Sequence, residues 1–235
     1  CLNSISDNKI KKGDILHNIG TIYSQIGEYD QCLKYFKESI EIKVKSNHQQ
    51  GIANSYNSYG ALYLRKGNYN KALKSFKNSF KIFDKLNHDF GICQTLNNIG
   101  IIYSIKGDYI NSIKYQKKSL NKSKEMGDHK GISTCLTNIG LNYYLLGDYD
   151  EANKNYYQAL DITRSLKLQV ATSNLLNNIG LIFRNLEEYR KSIDHHKKAF
   201  NINSEIGDKV AIVNTQNNLG IACALMGKYK ESSKY

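Results

Sequence analysis

The sequence predicts an all-α chain built from six copies of one helical hairpin. Six glycines stand 40 residues apart along the 235 residues: Gly20, Gly60, Gly100, Gly140, Gly180 and Gly220. A tyrosine follows nine residues after each of them: Tyr29, Tyr69, Tyr109, Tyr149, Tyr189 and Tyr229. The chain contains no proline, so helix-breaking residues are few. A period of this length is typical of a solenoid rather than of a domain with a single core.

Each copy is predicted to contain two helices joined by a turn. A glycine-containing pair precedes the tyrosine in most copies, as in Gly67-Asn68, which suits a helix that ends on a left-handed glycine before the next helix is capped. The fifth copy has Glu187-Glu188 instead, so its turn should be either strained or different in geometry. Apolar residues recur at i, i+3, i+4 and i+7, so each helix should bury one stripe against its neighbours.

The predicted organisation is one continuous array over residues 1–235. The repeats lie near 13–52, 53–92, 93–132, 133–172, 173–212 and 213–235, of which the last is incomplete. Leu2 is in phase with Ile42 and Ile82, so we expect residues 1–12 to be the tail of a preceding second helix. Because terminal repeats of a solenoid need a polar cap, we expect the natural protein to continue in both directions.

Two motifs carry a resemblance to a known family. The first helix of the third copy reads Leu96-x2-Ile99-Gly100-x2-Tyr103, and the second helix of the second copy reads Ala72-x3-Phe76. This pattern resembles the tetratricopeptide repeat, although the period is 40 rather than about 34 and the closing proline is absent. The longer unit is similar to the arrays of Pins-type scaffolds, kinesin light chains and bacterial sensor proteins. The resemblance implies a right-handed superhelical solenoid of antiparallel helix pairs, with first helices lining a concave groove and second helices forming the convex back.

No catalytic, cofactor or metal-binding pattern is found. No two histidines stand three or four residues apart, as ligands on one helix face would, and neither a GxxxxGK[ST] nor a GxGxxG motif occurs. We therefore expect no enzyme activity, no cofactor and no metal. The five cysteines form no CxxC pair, which indicates buried thiols in a reducing, cytoplasmic setting. Cys1 has the alternative of being a lipid-modified terminus.

The net charge of +12 is concentrated in the second helices. Their lysines include Lys71, Lys74, Lys77, Lys81 and Lys85 in one copy, and Lys114, Lys117, Lys118, Lys122 and Lys124 in the next. Residues 132–146 and 212–226, in first helices, carry no charge. We interpret the basic back as a solvated face. The alternative, contact with an acidic partner, nucleic acid or membrane, lacks the aromatic platform typical of single-strand binders, so we do not expect nucleic acid or membrane as partner.

The first helices carry four rows of residues at the 40-residue period. The outer row is Asn54, Gln94, Thr134, Asn174 and Asn214; the carboxamide row is His17, Asn57, Asn97, Thr137, Asn177 and Asn217; the apolar row is Ala61, Ile101, Leu141, Leu181 and Ile221; the ladder row is Asn18, Asn98, Asn138, Asn178 and Asn218. The first three rows share one helix face by their spacing of three and four. By the family's geometry this face is concave, whereas the ladder row is interpreted as structural.

We expect the concave face to bind a peptide or partner segment. A carboxamide can pair with both N–H and C=O of a bound backbone, and the apolar row can bury ligand side chains. The predicted contact residues are Asn54, Asn57, Asn97, Ile101, Leu141, Asn174, Asn177, Leu181, Asn214 and Asn217. The alternative for these amides is that they only solvate the groove.

Three functional hypotheses follow. The first is a protein–protein interaction scaffold that holds a protein or peptide in its groove. The second is a sensory or regulatory segment of a larger signalling protein. The third is a basic convex face that binds an acidic partner, nucleic acid or membrane, and it predicts a strong salt dependence.

Overall fold

The structure is a computed structural model that describes residues 2–234. The described residues form helices and turns without a strand. The helices are α1 (Leu2–Gln25), α2 (Tyr29–Lys45), α3 (Gln49–Arg65), α4 (Tyr69–Lys85), α5 (Asp89–Ile105), α6 (Tyr109–Glu125), α7 (His129–Leu145), α8 (Tyr149–Ser165), α9 (Gln169–Asn185), α10 (Tyr189–Ile206), α11 (Lys209–Leu225) and α12 (Tyr229–Ser232). The predicted all-α class is confirmed. The second helix of each hairpin begins on the periodic tyrosine, as seen in α2, α4, α6, α8, α10 and α12.

The chain divides into two compact units at the bond between Met126 and Gly127. In the first unit α1–α2, α3–α4 and α5–α6 form hairpins, and α2 also packs on α3 and α4 on α5. In the second unit α7–α8, α9–α10 and α11–α12 form hairpins, and α8 packs on α9 and α10 on α11. Within each unit, each helix therefore packs on its neighbours in sequence, as in a repeat array.

The hydrophobic core is distributed along each unit rather than gathered at one centre. One cluster of the first unit contains Cys32, Phe36 and Leu62, and another contains Ala72, Phe76, Ile99 and Ile102. In the second unit Ile193, Leu219, Ala222 and Cys223 form a comparable cluster. Each cluster joins consecutive hairpins, so stability is shared between neighbours.

The periodic glycines let the two helices of each hairpin approach closely. A Cβ added to Gly140 would lie 2.7 Å from the Tyr156 ring, and one added to Gly180 would lie 2.6 Å from His196. We call the residues opposite these glycines the glycine-facing residues: Phe36, Phe76, Gln116, Tyr156 and His196. No larger residue fits at the glycine unless its partner moves.

The turn at Glu187 has the same backbone geometry as the glycine turns. Glu187 has φ 60°, close to the 71° of Gly67, so the open choice between strain and a different geometry is settled in favour of strain. A left-handed conformation costs a residue with a side chain about 1–2 kcal/mol.

The N-terminal segment differs from the prediction. Residues 1–12 were expected to be the tail of a separate second helix, but Leu2–Gln25 form one uninterrupted helix, and Cys1 lies outside the described residues. The reason is local: Asp7 keeps a helical backbone, whereas Asn47, one repeat later in phase, has φ 50° and forms the turn.

Serine hydroxyls join the two helices of every hairpin in the first unit. Ser39, Ser79 and Ser119 each donate to a main-chain carbonyl 26 residues earlier, over 2.7, 2.8 and 2.9 Å. In the second unit Ala159 and Ala199 stand at this phase, and the serines lie on the opposing helix as Ser133 and Ser173. Those two hydroxyls donate to carbonyls of their own helices. Both units thus have small residues at this contact. In the first unit the serine hydroxyls bond between the two helices, whereas in the second unit they bond within one helix.

Candidate peptide-binding face

The outer row is exposed along both units. The side chains of Asn54 and Gln94 in the first unit and of Thr134, Asn174 and Asn214 in the second are all exposed. Their positions on α3, α5, α7, α9 and α11 follow from the 40-residue period. Of the three rows predicted to contact a ligand, this one is the most accessible.

The carboxamide row is half-buried in the first unit and already hydrogen-bonded. Asn57 donates from Nδ2 to Oε1 of Gln94 over 3.0 Å, and its own Oδ1 accepts from Nδ2 of Asn98, also over 3.0 Å. The main-chain carbonyl of Asn97 accepts from Nε2 of Gln116 over 3.1 Å. The row therefore links α3 to α5 as well as facing solvent.

The same arrangement recurs in the second unit around Asn177. Its Oδ1 accepts from Nδ2 of Asn218 over 2.9 Å and lies 2.9 Å from Nδ1 of His196. Because an amide oxygen only accepts, this contact assigns the proton of the imidazole to Nδ1. Burial, followed by the charges of Arg184 and His195, lowers the pKa of His196 to about 4, so the ring is neutral at pH 7.

The ladder row and the carboxamide row form one network. The ladder residue of the next repeat donates to Asn57 and to Asn177, so these two amides also connect consecutive repeats. Ser58, at the phase of the ladder row, makes the same contact with His17 of the preceding repeat, with Oγ and Nε2 3.2 Å apart. The sequence showed both rows but not that their side chains would bond across a repeat.

A tetratricopeptide repeat model matches residues 12–85, 91–165 and 171–235. The chain belongs to the tetratricopeptide repeat family. No curated protein matches the chain as a whole or in part. Membership of this family accounts for the glycine and tyrosine spacing and for the hairpins. The resemblance to tetratricopeptide repeats predicted from the sequence is confirmed.

Solved structures of other repeat arrays are similar to this fold. A signal transduction ATPase with numerous domains (STAND) from Pyrococcus horikoshii, which has a tetratricopeptide repeat sensor, superimposes with TM-score 0.82 at 18% identity, over 93% of this chain and 34% of that one. Aspartyl phosphate phosphatase F from Bacillus subtilis gives TM-score 0.76 at 14% identity, over 97% and 58%. A putative kinesin light chain from Podosopora anserina gives 0.69 at 11%, over 83% and 96%. At these identities the likeness shows the fold alone.

Within this tetratricopeptide array the apolar row is more extensive than predicted. Leu141 is 40% exposed, whereas Ile101 and Leu181 are half-buried. Further apolar side chains are exposed on the same helices, four residues after the apolar row and four before the outer row: Ile105, Leu145, Leu225, Phe90, Val170 and Val210. The i+4 spacing from the apolar row could have identified them.

Charge on the tetratricopeptide repeats is divided between the two kinds of helix. Helices α7, α9 and α11 contain no aspartate or glutamate, and few cations. The lysines of α4 are exposed, as expected for a solvated face. Lys43 is an exception, because its side chain is buried and pairs with Asp14 at 3.0 Å. Burial and then Lys43 lower the pKa of His17 to about 4, against the opposing effect of Asp14.

Among the residues whose side chains the structure describes, no group of three or more His, Cys, Asp or Glu is arranged to hold a metal ion. None of the helices described has the length and apolar composition needed to cross a bilayer. Cys32 and Cys223 are buried, and burial raises the pKa of both thiols.

Proposed function

We propose that this chain is a protein-interaction scaffold and that the exposed face of its first helices binds a peptide segment of a partner protein. The face combines exposed amides with exposed apolar side chains, and helices α7, α9 and α11 carry no carboxylates. In the second unit, Asn174 on α9 and Asn214 and Asn217 on α11 are exposed beside Leu181 and Ile221. The observation that carries the proposal is this pairing of an amide row with an apolar row on one helix face.

The hydrogen bonds within the network set what the face can recognise. The Oδ1 of Asn177 faces two donors, so its remaining capacity is the N–H of its Nδ2 group, which suits a ligand carbonyl. Asn174 and Asn214 are exposed and can offer both an acceptor and donors. A peptide backbone, which alternates N–H and C=O, matches this set irrespective of its side chains.

Magnitudes indicate that apolar contacts must supply much of the affinity. Four amide contacts contribute about 2–6 kcal/mol before ordering costs, at about 0.5–1.5 kcal/mol each. Two or three ligand side chains buried on the apolar row add about 1.5–3 kcal/mol each. The sum is sufficient for about micromolar affinity. We therefore propose a ligand that is neutral and contains apolar residues.

The test is selection of peptides from a random displayed library on the 235-residue chain, followed by titration of the best peptide. We expect uncharged peptides with apolar residues. The double variant Asn174→Ala/Asn214→Ala should weaken binding by about 1–3 kcal/mol. The matched control is Asn201→Ala on α10, an exposed asparagine of a second helix, which should leave affinity unchanged.

Two results would overturn the proposal. Selected peptides that are acidic, with an affinity that falls steeply with salt, would assign binding to the basic second helices. Equal effects of the Asn174→Ala/Asn214→Ala variant and of the Asn201→Ala control would remove the first-helix face as the contact surface.

A further inference from the structure

Three hairpins contain a pair of rings in contact between their two helices, stacked in two hairpins and tilted in the third. Tyr23 on α1 stacks on Tyr35 on α2 with centroids 5.3 Å apart, and Tyr103 stacks on Tyr115 at the same distance. In the α9–α10 hairpin, the ring centroids of Phe183 and His195 are 5.2 Å apart. The two rings of each pair are twelve residues apart, one near the end of the first helix and one in the second.

The α3–α4 hairpin departs from this pattern, as does the α7–α8 hairpin, in which Asn155 stands twelve residues after Tyr143. Tyr63 stands at the first position of the pair, but the second position is Ser75, whose hydroxyl donates to the main-chain carbonyl of Lys71 on its own helix over 2.9 Å. A cavity of about 570 Å³ lies beside Ser75, and its other lining residues are Tyr56, Tyr59, Tyr63, Lys71, Lys74 and Asn78. The missing ring is therefore accompanied by open space.

Two further exchanges line the same cavity. Tyr56 is in phase with Leu96, Leu136 and Leu176, and Tyr59 is in phase with Ile99, Ile139 and Ile179. Those six residues are buried core, whereas both tyrosines are half-buried. The ring centroids of Tyr59 and Tyr63 are 6.2 Å apart, a longer distance than in the ring pairs of the other hairpins. One repeat thus loses a ring and gains two phenol groups at a single place.

The cavity is also cationic. The Nζ of Lys71 lies 5.6 Å from the centroid of the Tyr63 ring, and Lys74 lines the cavity one turn further along α4. Burial raises the pKa of Tyr59 to about 12, with smaller effects from neighbours that include Tyr63 and Glu41, so its hydroxyl stays protonated and can donate. Both ammonium groups and the phenols can therefore act as donors to an anion.

We propose that this cavity binds a small aromatic anion, whose ring occupies the place of the missing ring against Tyr63 while its anionic group meets Lys71 and Lys74. The volume is in the range of small-molecule sites, about 300–1,000 Å³. The site is separate from the proposed peptide face, because Tyr56, Tyr59 and Tyr63 share one face of α3 at i, i+3 and i+7 and lie opposite the exposed Asn54.

The test is titration of the chain with phenyl phosphate by isothermal calorimetry, with cyclohexyl phosphate and inorganic phosphate as comparison probes. We expect saturable binding of phenyl phosphate below about 10 mM. Cyclohexyl phosphate should bind about two- to tenfold more weakly, because it cannot stack on Tyr63. Inorganic phosphate should bind more weakly still. Equal affinity for all three probes, or no saturation with phenyl phosphate, would overturn the proposal.

Ser75→Tyr supplies the ring that Tyr35 provides in the α1–α2 hairpin and Tyr115 in the α5–α6 hairpin. It should fill the cavity and lower affinity for phenyl phosphate more than about tenfold, while the melting temperature is kept or raised by the new stack. Unchanged affinity in this variant would show that the probe binds elsewhere.

A second set of variants decides the outcome if Ser75→Tyr does not fold. Lys71→Gln and Lys74→Gln should each weaken phenyl phosphate binding by about fivefold, since each removes one cation from the anion. The matched control is Lys81→Gln, an exposed lysine of the same helix outside the cavity, which should have no effect. A similar loss in all three would indicate a general effect of charge and overturn the proposal.

Discussion

The glycine-facing residues divide the hairpins into two kinds. At Phe36, Phe76 and Tyr156 the contact with the glycine is made by an aromatic ring, whereas at Gln116 and His196 it is made by a polar group. The rings of Phe36, Phe76 and Tyr156 are buried. Both polar groups instead bond to an asparagine of the carboxamide row, Gln116 to the carbonyl of Asn97 and His196 to Oδ1 of Asn177. The same backbone position can therefore stabilise the core or tie the core to the candidate binding face.

The largest difference should appear when the side chain is removed. Phe76→Ala should lower the free energy of unfolding by about 3–5 kcal/mol, because it deletes a buried ring. Gln116→Ala should cost about 1–2 kcal/mol, since it loses mainly one hydrogen bond. Urea unfolding followed by circular dichroism measures both. Equal losses would show that the two kinds of contact are energetically the same.

A pH effect should distinguish His196 from the rings. Its folded pKa of about 4 lies below the ordinary 6.5, so the unfolded chain takes up a proton first as the pH falls. The stability contributed by the neutral imidazole is present above pH 6.5 and is lost between about pH 6.5 and 4, by up to about 3 kcal/mol. His196→Gln, which imports the polar group of the third repeat, should make the dependence of unfolding on pH shallower.

His17 should contribute to the same dependence of unfolding on pH as His196. Its pKa is also lowered to about 4, and it stacks on Phe36 with centroids 5.0 Å apart. The slope that remains in His196→Gln should therefore fall further when His17→Gln is added. An unchanged slope in the single variant would contradict the burial of His196 as a neutral ring.

Substitution of the glycines tests the same contrast from the other helix. Gly60→Ala places a Cβ against the rigid ring of Phe76 and should destabilise by about 1–3 kcal/mol. In Gly100→Ala the nearest atom is Nε2 of Gln116, which can move, and alanine gains up to about 1 kcal/mol of helix propensity. Gly100→Ala should thus be close to neutral. Thermal unfolding of both variants checks the order, and the reverse order would refute the contrast.

The smallest effect concerns the carboxamide row itself. Asn177→Ala removes the acceptor of Asn218 and His196 and should cost about 1–2 kcal/mol of stability. Asn174→Ala, on the exposed outer row three residues earlier, should change stability by less than about 0.5 kcal/mol. Equal losses in stability would mean that the network around Asn177 has no structural role.

The repeat, the helices and their turns could be predicted because each depends on spacing within the sequence. The glycine and tyrosine period gives every hairpin, and the tyrosine of each copy begins a helix from Tyr29 onward. The concentration of lysines in the second helices follows from the positions of the charged residues in the sequence. The continuation of α1 through Asp7 could not be predicted, because the residue at that phase has a positive φ in every later repeat, at Asn47, Asn87, Gly127, Lys167 and Gly207.

The candidate sites were predictable only in part. The rows on the first helices follow from periodicity, but the bond between Asn57 and Asn98 depends on the offset of one repeat from the next, which a single sequence does not give. The cavity at Ser75 arises where the second copy differs from the others. Residues on α3 and α4 differ in size from their counterparts in other copies, whereas periodicity predicts only what the copies share.

The serine bonds of the first unit have a mechanical consequence. Ser39, Ser79 and Ser119 each hold a second helix to one carbonyl of a first helix, so the helices of a hairpin cannot slide along each other without breaking that bond. In the second unit, Ser133 and Ser173 bond within their own helices and put no such restraint on sliding. Under a shearing load the hairpins of the first unit should therefore resist sliding of one helix along the other, because all three of these bonds must break before the helices move.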